Sequence, residues 1–320
     1  MKAIARARRL LRRRMDRRRP TILLYHRVAR QDCDPWGLAV PPALFAEQIE
    51  ALARRRTVVS LERLADELER GRAPDDWVAI TFDDGYADVL HEACPVLRRH
   101  GCAATLFVTT DMLDSPVFWW DRLARAILTP ARLPEELELE LDDAPTPLRW
   151  SAAKDGADRS ALHLAIWRRL RRQDPKPRDG LLDAIEAWAG VSPSRDGEDR
   201  ALTTAELREL AGSGVFSIGA HTLSHAPLPE LTQSEKAVEI AGSRRRCEEI
   251  LGRKVDTFAY PFGELDVEAR EEARRAGFRL ACSTVRGPVR PDSHRFALPR
   301  VTVKPSWSGA RLVSQLPWGG

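Results

Sequence analysis

Three stretches of this 320-residue chain end on side chains able to do hydrolytic chemistry. WVAITFDDGYAD, residues 77–88, is an apolar run closed by two adjacent carboxylates, Asp83 and Asp84, and then Gly85. One Asp would suffice to cap a following helix, whereas two side by side repel unless a cation or a shared proton relieves them. HTLSH, residues 221–225, sets two imidazoles four residues apart after the apolar run VFSIGA, a spacing that lets both reach one metal ion. Alone that pair is a weak signal, since HxxxH arises by chance and His225 could simply bond a nearby loop. Joined to the aspartates it offers two neutral nitrogens and a carboxylate, a three-ligand site open to water. TILLY, residues 21–25, is a third apolar run, and it ends on His26 within YHRV.

Each of these groups must sit at a strand tip, because the apolar runs before them read as buried strands. Between the strands lie helical patterns. Residues 42–55 begin with Pro at the first turn and carry Leu44, Phe45, Ile49 and Leu52 on one side; residues 61–69 follow Ser60 as a cap and end at Gly71. YADVLHEACPVLRRHG reads as a helix with Pro95 inside it, AATLFVT as the next strand. Thr203 with Glu206 and Thr232 with Glu235 have capping-box spacing, and Gly252 and Gly277 follow helix ends. DTFAY runs into PFGE, and RLACST and ALPRVTV supply the last strands. Strands alternating with helices imply parallel βα units, which gather strand tips on one face. From 115 to 200 that alternation lapses. FWWDRLARAIL and ALHLAIWRRLRR look helical, so this stretch is expected to be an inserted helical subdomain. Its Trp119, Trp120, Trp150, Trp167 and Trp188 are read as packing residues, with Trp119 and Trp120 also able to border a sugar site.

A chain 43% hydrophobic can bury a full core. Its five cysteines lack any CxxC pairing and suggest neither a disulfide framework nor a zinc ribbon, which fits a reducing compartment. The formal charge of +4 is carried by residues 1–20, where ten Lys or Arg accompany one Asp; the remainder is mildly acidic. This opening lacks the apolar core and cleavage site of a signal peptide. As a helix it would align Ile4, Ala7, Leu11 and Met15 among arginines, a pattern for the surface of an anionic membrane; a solvated, unfolded tail is the other reading. No aromatic residue interleaves the arginines, so nucleic acid is not an expected partner.

TFDDG, HTLSH and YPFG, in this order and each after a strand, resemble the polysaccharide deacetylases of the NodB-homology type, carbohydrate esterase family four. The resemblance spans most of residues 21–303 outside the insertion. It implies a distorted (β/α)7-type barrel made of residues 21–114 and 201–320, with 1–20 a basic tail and 115–200 the helical insertion. It implies one divalent metal ion, zinc in the first place with nickel, cobalt or manganese open, on Asp84, His221 and His225. Asp83 would be the general base, and Tyr260, Pro261 and Phe262 would form the substrate side, with a backbone N–H near Phe262 facing the oxyanion.

The chain departs from the family pattern twice. Many members carry Arg at the first position of the third motif, where this chain has Ala259; Arg300 in LPRV is expected to supply the guanidinium to Asp83. No histidine follows a strand after HTLSH to act as acid, and His294, in a PDSHR loop, is a poor substitute. YHRV resembles the circularly permuted branch acting on poly-N-acetylglucosamine, in which the acid histidine precedes TFDDG, so His26 is the expected acid. The function implied is hydrolysis of an acetamide on an N-acetylated sugar, oligosaccharide or lipid-linked glycan precursor, in the cytoplasm or on the inner face of the membrane. An O-acetyl sugar esterase and a catalytically silent glycan-binding protein are the alternatives.

Overall fold

The computed structural model of the chain describes residues 19–140, 147–152, 158–192 and 199–316. The expectations for residues 1–18 lie outside these described residues. In chain order the strands are β1 (Thr21–Tyr25), β2 (Thr57–Val59), β3 (Trp77–Phe82), β4 (Ala104–Val108), β5 (Glu136–Leu139), β6 (Leu148–Ser151), β7 (Phe216–Ala220), β8 (Thr257–Ala259), β9 (Leu280–Arg286) and β10 (Leu298–Thr302). Seven of them close a parallel barrel in the order β1-β10-β9-β8-β7-β4-β3. Closure falls on β1, which pairs with β10 at Leu23↔Val301 and with β3 from Thr21↔Val78 to Tyr25↔Phe82. β1, β3 and β4 are buried along their whole lengths, which is why they read as unbroken apolar runs.

β2 is an addition that the sequence reading lacked. It pairs with Trp77–Ala79 of β3, while β4 takes Ile80–Phe82, so two strands share one edge of β3. Three residues of β structure are too short to declare a period.

Helices α1 (Pro42–Arg55) and α2 (Leu61–Glu69) follow the expected bounds. Pro sits in the first turn of α1, and Ser60 Oγ accepts from the N–H of Arg63 at the start of α2. The segment after Asp84 is not one helix. A wide i→i+5 turn over Val89–Ala93 precedes α3 (Cys94–Arg99), so Pro95 falls in the first turn of a new helix, where its missing N–H costs little.

The described chain divides into two compact units. One holds the barrel, from residues up to Arg30, Leu38–Leu113 and Leu202 onward; the other comprises Gln31–Gly37 and Asp114–Ala201. The second unit contains α4 (Trp119–Leu128), α5 (Arg159–Leu170) and α6 (Pro175–Ala189), but also the antiparallel pair β5–β6, with Leu137 opposite Trp150. It is therefore not purely helical. ELEL alternates exposed Glu with buried Leu, the period of a half-buried strand. Trp119 and Trp120 are buried in packing, which leaves neither as a sugar-facing ring.

In the barrel unit, α7 (Thr204–Gly212) and α8 (Gln233–Leu251) open on complete capping boxes, and Gly252 ends α8 in the left-handed conformation. α9 (Val267–Arg275) and α10 (Gly309–Gln315) complete it. All five cysteines are free, and no helix of the described residues is long and apolar enough to cross a membrane.

Candidate active site

The parallel strands deliver their C-terminal ends to one mouth of the barrel. β3 brings Asp83 and Asp84, β7 brings His221, and the loop after β7 brings His225. Asp84 Oδ1 lies 3.5 Å from His221 Nε2 and 3.3 Å from His225 Nε2, and all three side chains are buried. One ligand atom from each falls within 4.8 Å of the other two, the group among the described residues able to hold a metal ion.

The donor chemistry fits such an ion. The carbonyl oxygen of Ala259 is 2.8 Å from His221 Nδ1 and can only accept, so the ring carries a proton there and presents Nε2 to Asp84. Donors bound tetrahedrally at about 2.0–2.1 Å stand about 3.4 Å apart, close to the two separations seen. Burial works against every charge here. It would raise Asp84, but hydrogen bonds from His221 and His225 hold its carboxyl well below the usual range. Burial lowers His225, while at His221 it is outweighed by Asp83 and Asp84, which raise the imidazole.

Asp83 has a different partner. Arg300, 0% exposed on β10, donates from Nη1 to Oδ1 at 2.7 Å and from Nη2 to Oδ2 at 2.6 Å. Its Nε donates to Ser283 O and Nη1 also to Thr81 Oγ1, which in turn donates to Leu23 O. Burial would raise Asp83, yet the Arg300 guanidinium, with His221 and His26, keeps it below the usual carboxylate range. The adjacent aspartates thus divide: one belongs to a guanidinium, the other to two imidazoles.

His26 follows β1 at the same mouth. Tyr25 pairs with Phe82, and Asp83 N–H donates to Tyr25 O, so the register sets His26 beside Asp83. The loop carrying it is anchored by Asp88, which accepts from Arg27 Nε and from the backbone N–H of Val28, both at 2.9 Å. YHRV and DDGYAD are therefore physically tied. His294 precedes β10 and so lies toward the other end of the strands, where Nδ1 accepts from Phe296 N–H.

The third motif contributes unevenly. Phe262 packs edge-on against His225, ring centroids 4.5 Å apart, and so borders the cluster. Tyr260, expected on the substrate side, has a fully buried ring whose hydroxyl donates to Phe296 O, so its side chain packs in the core. Pro261 is buried in the same tight turn.

Two positioning groups escaped the sequence reading. Thr109, just past β4, donates its N–H to Asp84 O and its hydroxyl to His221 O, joining the two ligand segments. Glu239 of α8 accepts from Leu223 N–H, Ser224 N–H and Ser224 Oγ, at 2.9, 3.0 and 2.7 Å. No motif marks either residue, since both act mainly on backbone groups of the ligand segments. Strain is concentrated here as well. Asp84, Thr222, His225 and Phe262 have φ of 75°, 65°, 63° and 58°, four of the five non-glycine residues with left-handed backbone among those described. At Gly85, φ is 106° and a Cβ would stand 3.0 Å from Val108 Cγ2, so a side chain after the aspartates would strain the backbone and crowd Val108.

A closed parallel barrel carrying a buried carboxylate–imidazole cluster beside a guanidinium-held carboxylate has the parts of a hydrolase. The sequence profile of the polysaccharide deacetylase family matches residues 70–143 and 184–281, more than half of the chain, and the chain belongs to that family. The Bacillus subtilis (strain 168) protein YxkH, whose name assigns it to the polysaccharide deacetylases, is 22% identical over 291 residues, 90% of this chain and 73% of its own. Among solved structures, the Streptococcus pyogenes deacetylase PplD in complex with acetate superposes with a TM-score of 0.62 at 17% identity, over 93% of this chain and 98% of that one. A de-N-acetylase from Aggregatibacter actinomycetemcomitans does so with a TM-score of 0.57 at 14% identity, over 93% and 100%. At these identities the structural likeness speaks for the fold.

Proposed function

We propose that the chain is a metal-dependent de-N-acetylase of an amino-sugar glycan or its lipid-linked precursor. The observation that carries the reading is the division between the adjacent aspartates, which supplies a base and a ligand from one strand tip. Asp84, His221 and His225 are the residues assigned to hold the ion. The chemistry a divalent cation supplies on such ligands is Lewis acidity toward an acyl oxygen and toward water.

The remaining steps belong to side chains of this chain. Asp83, kept ionised by Arg300, takes a proton from the water that attacks the acetyl carbon. Arg300 also fixes both carboxylate oxygens, so the acceptor does not rotate away from that water. The acyl oxygen is assigned to the Phe262 side of the mouth. As the C–N bond breaks, the departing amine takes a proton from His26, leaving acetate and a free amino sugar. A histidine just past the first strand fits the permuted branch of the family, and the closure of the barrel through β1 supports that assignment.

Acetate release from matched N-acetyl and O-acetyl sugars, oligosaccharides and lipid-linked sugars, with Asp83→Asn as control, tests the reading. Turnover of the N-acetyl member that disappears in the control is expected. Release only from the O-acetyl member would make the enzyme an esterase.

A further inference from the structure

The second unit contains a cavity of about 720 Å³, a size suited to a ligand rather than to ordered water alone. Its lining includes Asp32, Asp34, Trp36, Thr129, Ser160 and His163. Trp36 is 38% exposed, and its ring is braced rather than covered, 4.9 Å from Trp167 and 5.7 Å from His163 between centroids. A tryptophan held open to solvent on a fixed platform offers a flat apolar face and attracts cations. His163 is only 3% exposed, yet its Nε2 has no hydrogen-bond partner among the described residues. A buried polar atom left so is costly unless a ligand or water completes it.

Charge narrows the ligand. Among the described residues two carboxylates and no lysine or arginine line the cavity, so phosphate and carboxylate groups are disfavoured there while an ammonium is welcome. Thr129, Ser160 and His163 can meet hydroxyl groups, and a hydroxyl serves His163 Nε2 whether that atom donates or accepts. An aromatic face, carboxylates and hydroxyl partners in one cavity match a pyranose that carries a free amine.

We propose that this cavity, lined by Trp36, Asp32, Asp34 and His163, is an accessory site for a deacetylated amino-sugar unit of the glycan. The idea rests on the de-N-acetylase reading, because that reaction generates the free amine. A chain with some acetyl groups already removed would then be retained through its cationic units.

Calorimetric titration of the full chain with a glucosamine tetrasaccharide, and of the Asp83→Asn protein with the same sugar and its fully N-acetylated counterpart, tests this. Trp36→Ala is expected to weaken the glucosamine tetrasaccharide roughly ten-fold, and Trp36→Phe to retain most of the affinity. Asp32→Asn with Asp34→Asn is expected to weaken it similarly and to flatten its dependence on salt. Unfolding curves for each variant identify any that fail to fold, and Trp36→Phe then carries the comparison. Equal affinity of Trp36→Ala and the native chain would overturn the site, and equal affinity for the two tetrasaccharides would overturn its assignment to an amine. Failure of the native chain to release acetate from any N-acetyl sugar would remove the catalytic reading, and the binding comparison would still report on the cavity.

Discussion

Arg300 and Asp83 form a bidentate ion pair buried inside the barrel, with Nη1 2.7 Å from Oδ1 and Nη2 2.6 Å from Oδ2. The pair joins β10 to the tip of β3 across the interior, so the proposed base and a structural tie share one contact. Removing one member of a buried pair leaves the other charged and uncompensated, a loss of about 3–5 kcal/mol. Arg300→Met is therefore expected to lower the unfolding free energy by that order and to abolish turnover. Arg300→Lys should fold better but recover little activity, because an ammonium cannot address two oxygens at once. Chemical denaturation alongside acetate release measures both; an active Arg300→Met enzyme would take the pair out of catalysis.

Metal content should separate the two aspartates. Asp84→Ala and His225→Ala remove donors and are expected to lower bound divalent ion, read by elemental analysis after dialysis. Asp83→Asn keeps the carbonyl geometry toward Arg300 and removes no donor, so the ion should stay while turnover is lost. Equal metal loss in Asp83→Asn and Asp84→Ala would reverse their roles.

How far the sequence foretold this arrangement depended on what each residue bonds. Asp83, Asp84, His221 and His225 were legible because strand tips announce themselves as apolar runs broken by a charged residue. Arg300 was legible only as a substitute for a guanidinium missing at Ala259, since an arginine inside a strand gives no sign of which residue it faces across a barrel. Thr109 and Glu239 left no trace, because their partners are mainly backbone groups, with the Ser224 hydroxyl, whose positions exist only after folding. The strand β2 and the pair β5–β6 were missed for a plainer reason: three or four residues carry too little pattern to outvote the helices beside them.

Glu239 supplies the next expectation. It holds the loop between His221 and His225 by three hydrogen bonds to a charged acceptor, and Thr222 and His225 are in left-handed conformations that such contacts sustain. Glu239→Gln keeps the shape and one acceptor but loses the charge. Residues that orient metal ligands typically change affinity by about 10–100-fold, and that is the expected rise in the metal dissociation constant. Unfolding in the absence of metal should move little, which separates loss of positioning from loss of fold.

The second unit should respond to acid through His163. Burial pushes this imidazole down to about 4, so the folded ring stays neutral where the unfolded one, near the ordinary value of 6.5, is already charged. Between those values the unfolded chain binds more protons. Stability is therefore whole above the unfolded value and is lost as pH falls toward the folded one. The loss is on the order of 1–2 kcal/mol, discounted because the ring borders a cavity that water can enter. Unfolding midpoints from pH 7 to 4 should decline more in the native chain than in His163→Leu, which has nothing to protonate there; parallel curves would show that another group governs the acid limb.

The acid role of His26 is the sharpest test of the permuted arrangement. The residue lies beside Asp83 by strand register, and its loop is locked by Asp88 through Arg27 and Val28, so it is held by backbone rather than by its own ring. Removing the ring should therefore leave the loop in place. An amine is a poor leaving group until protonated, and imidazole can deliver that proton near neutral pH and regain it from solvent. His26→Ala is expected to retain metal and its unfolding midpoint while losing about 10²–10⁴-fold in turnover of an acetamide. For an activated acetyl ester, whose leaving group departs without help, the loss should be much smaller. Comparing the two substrates in one preparation makes the test internal. A variant equally impaired on both would mean that His26 shapes the site, and one unimpaired on the acetamide would mean that the departing amine finds its proton elsewhere.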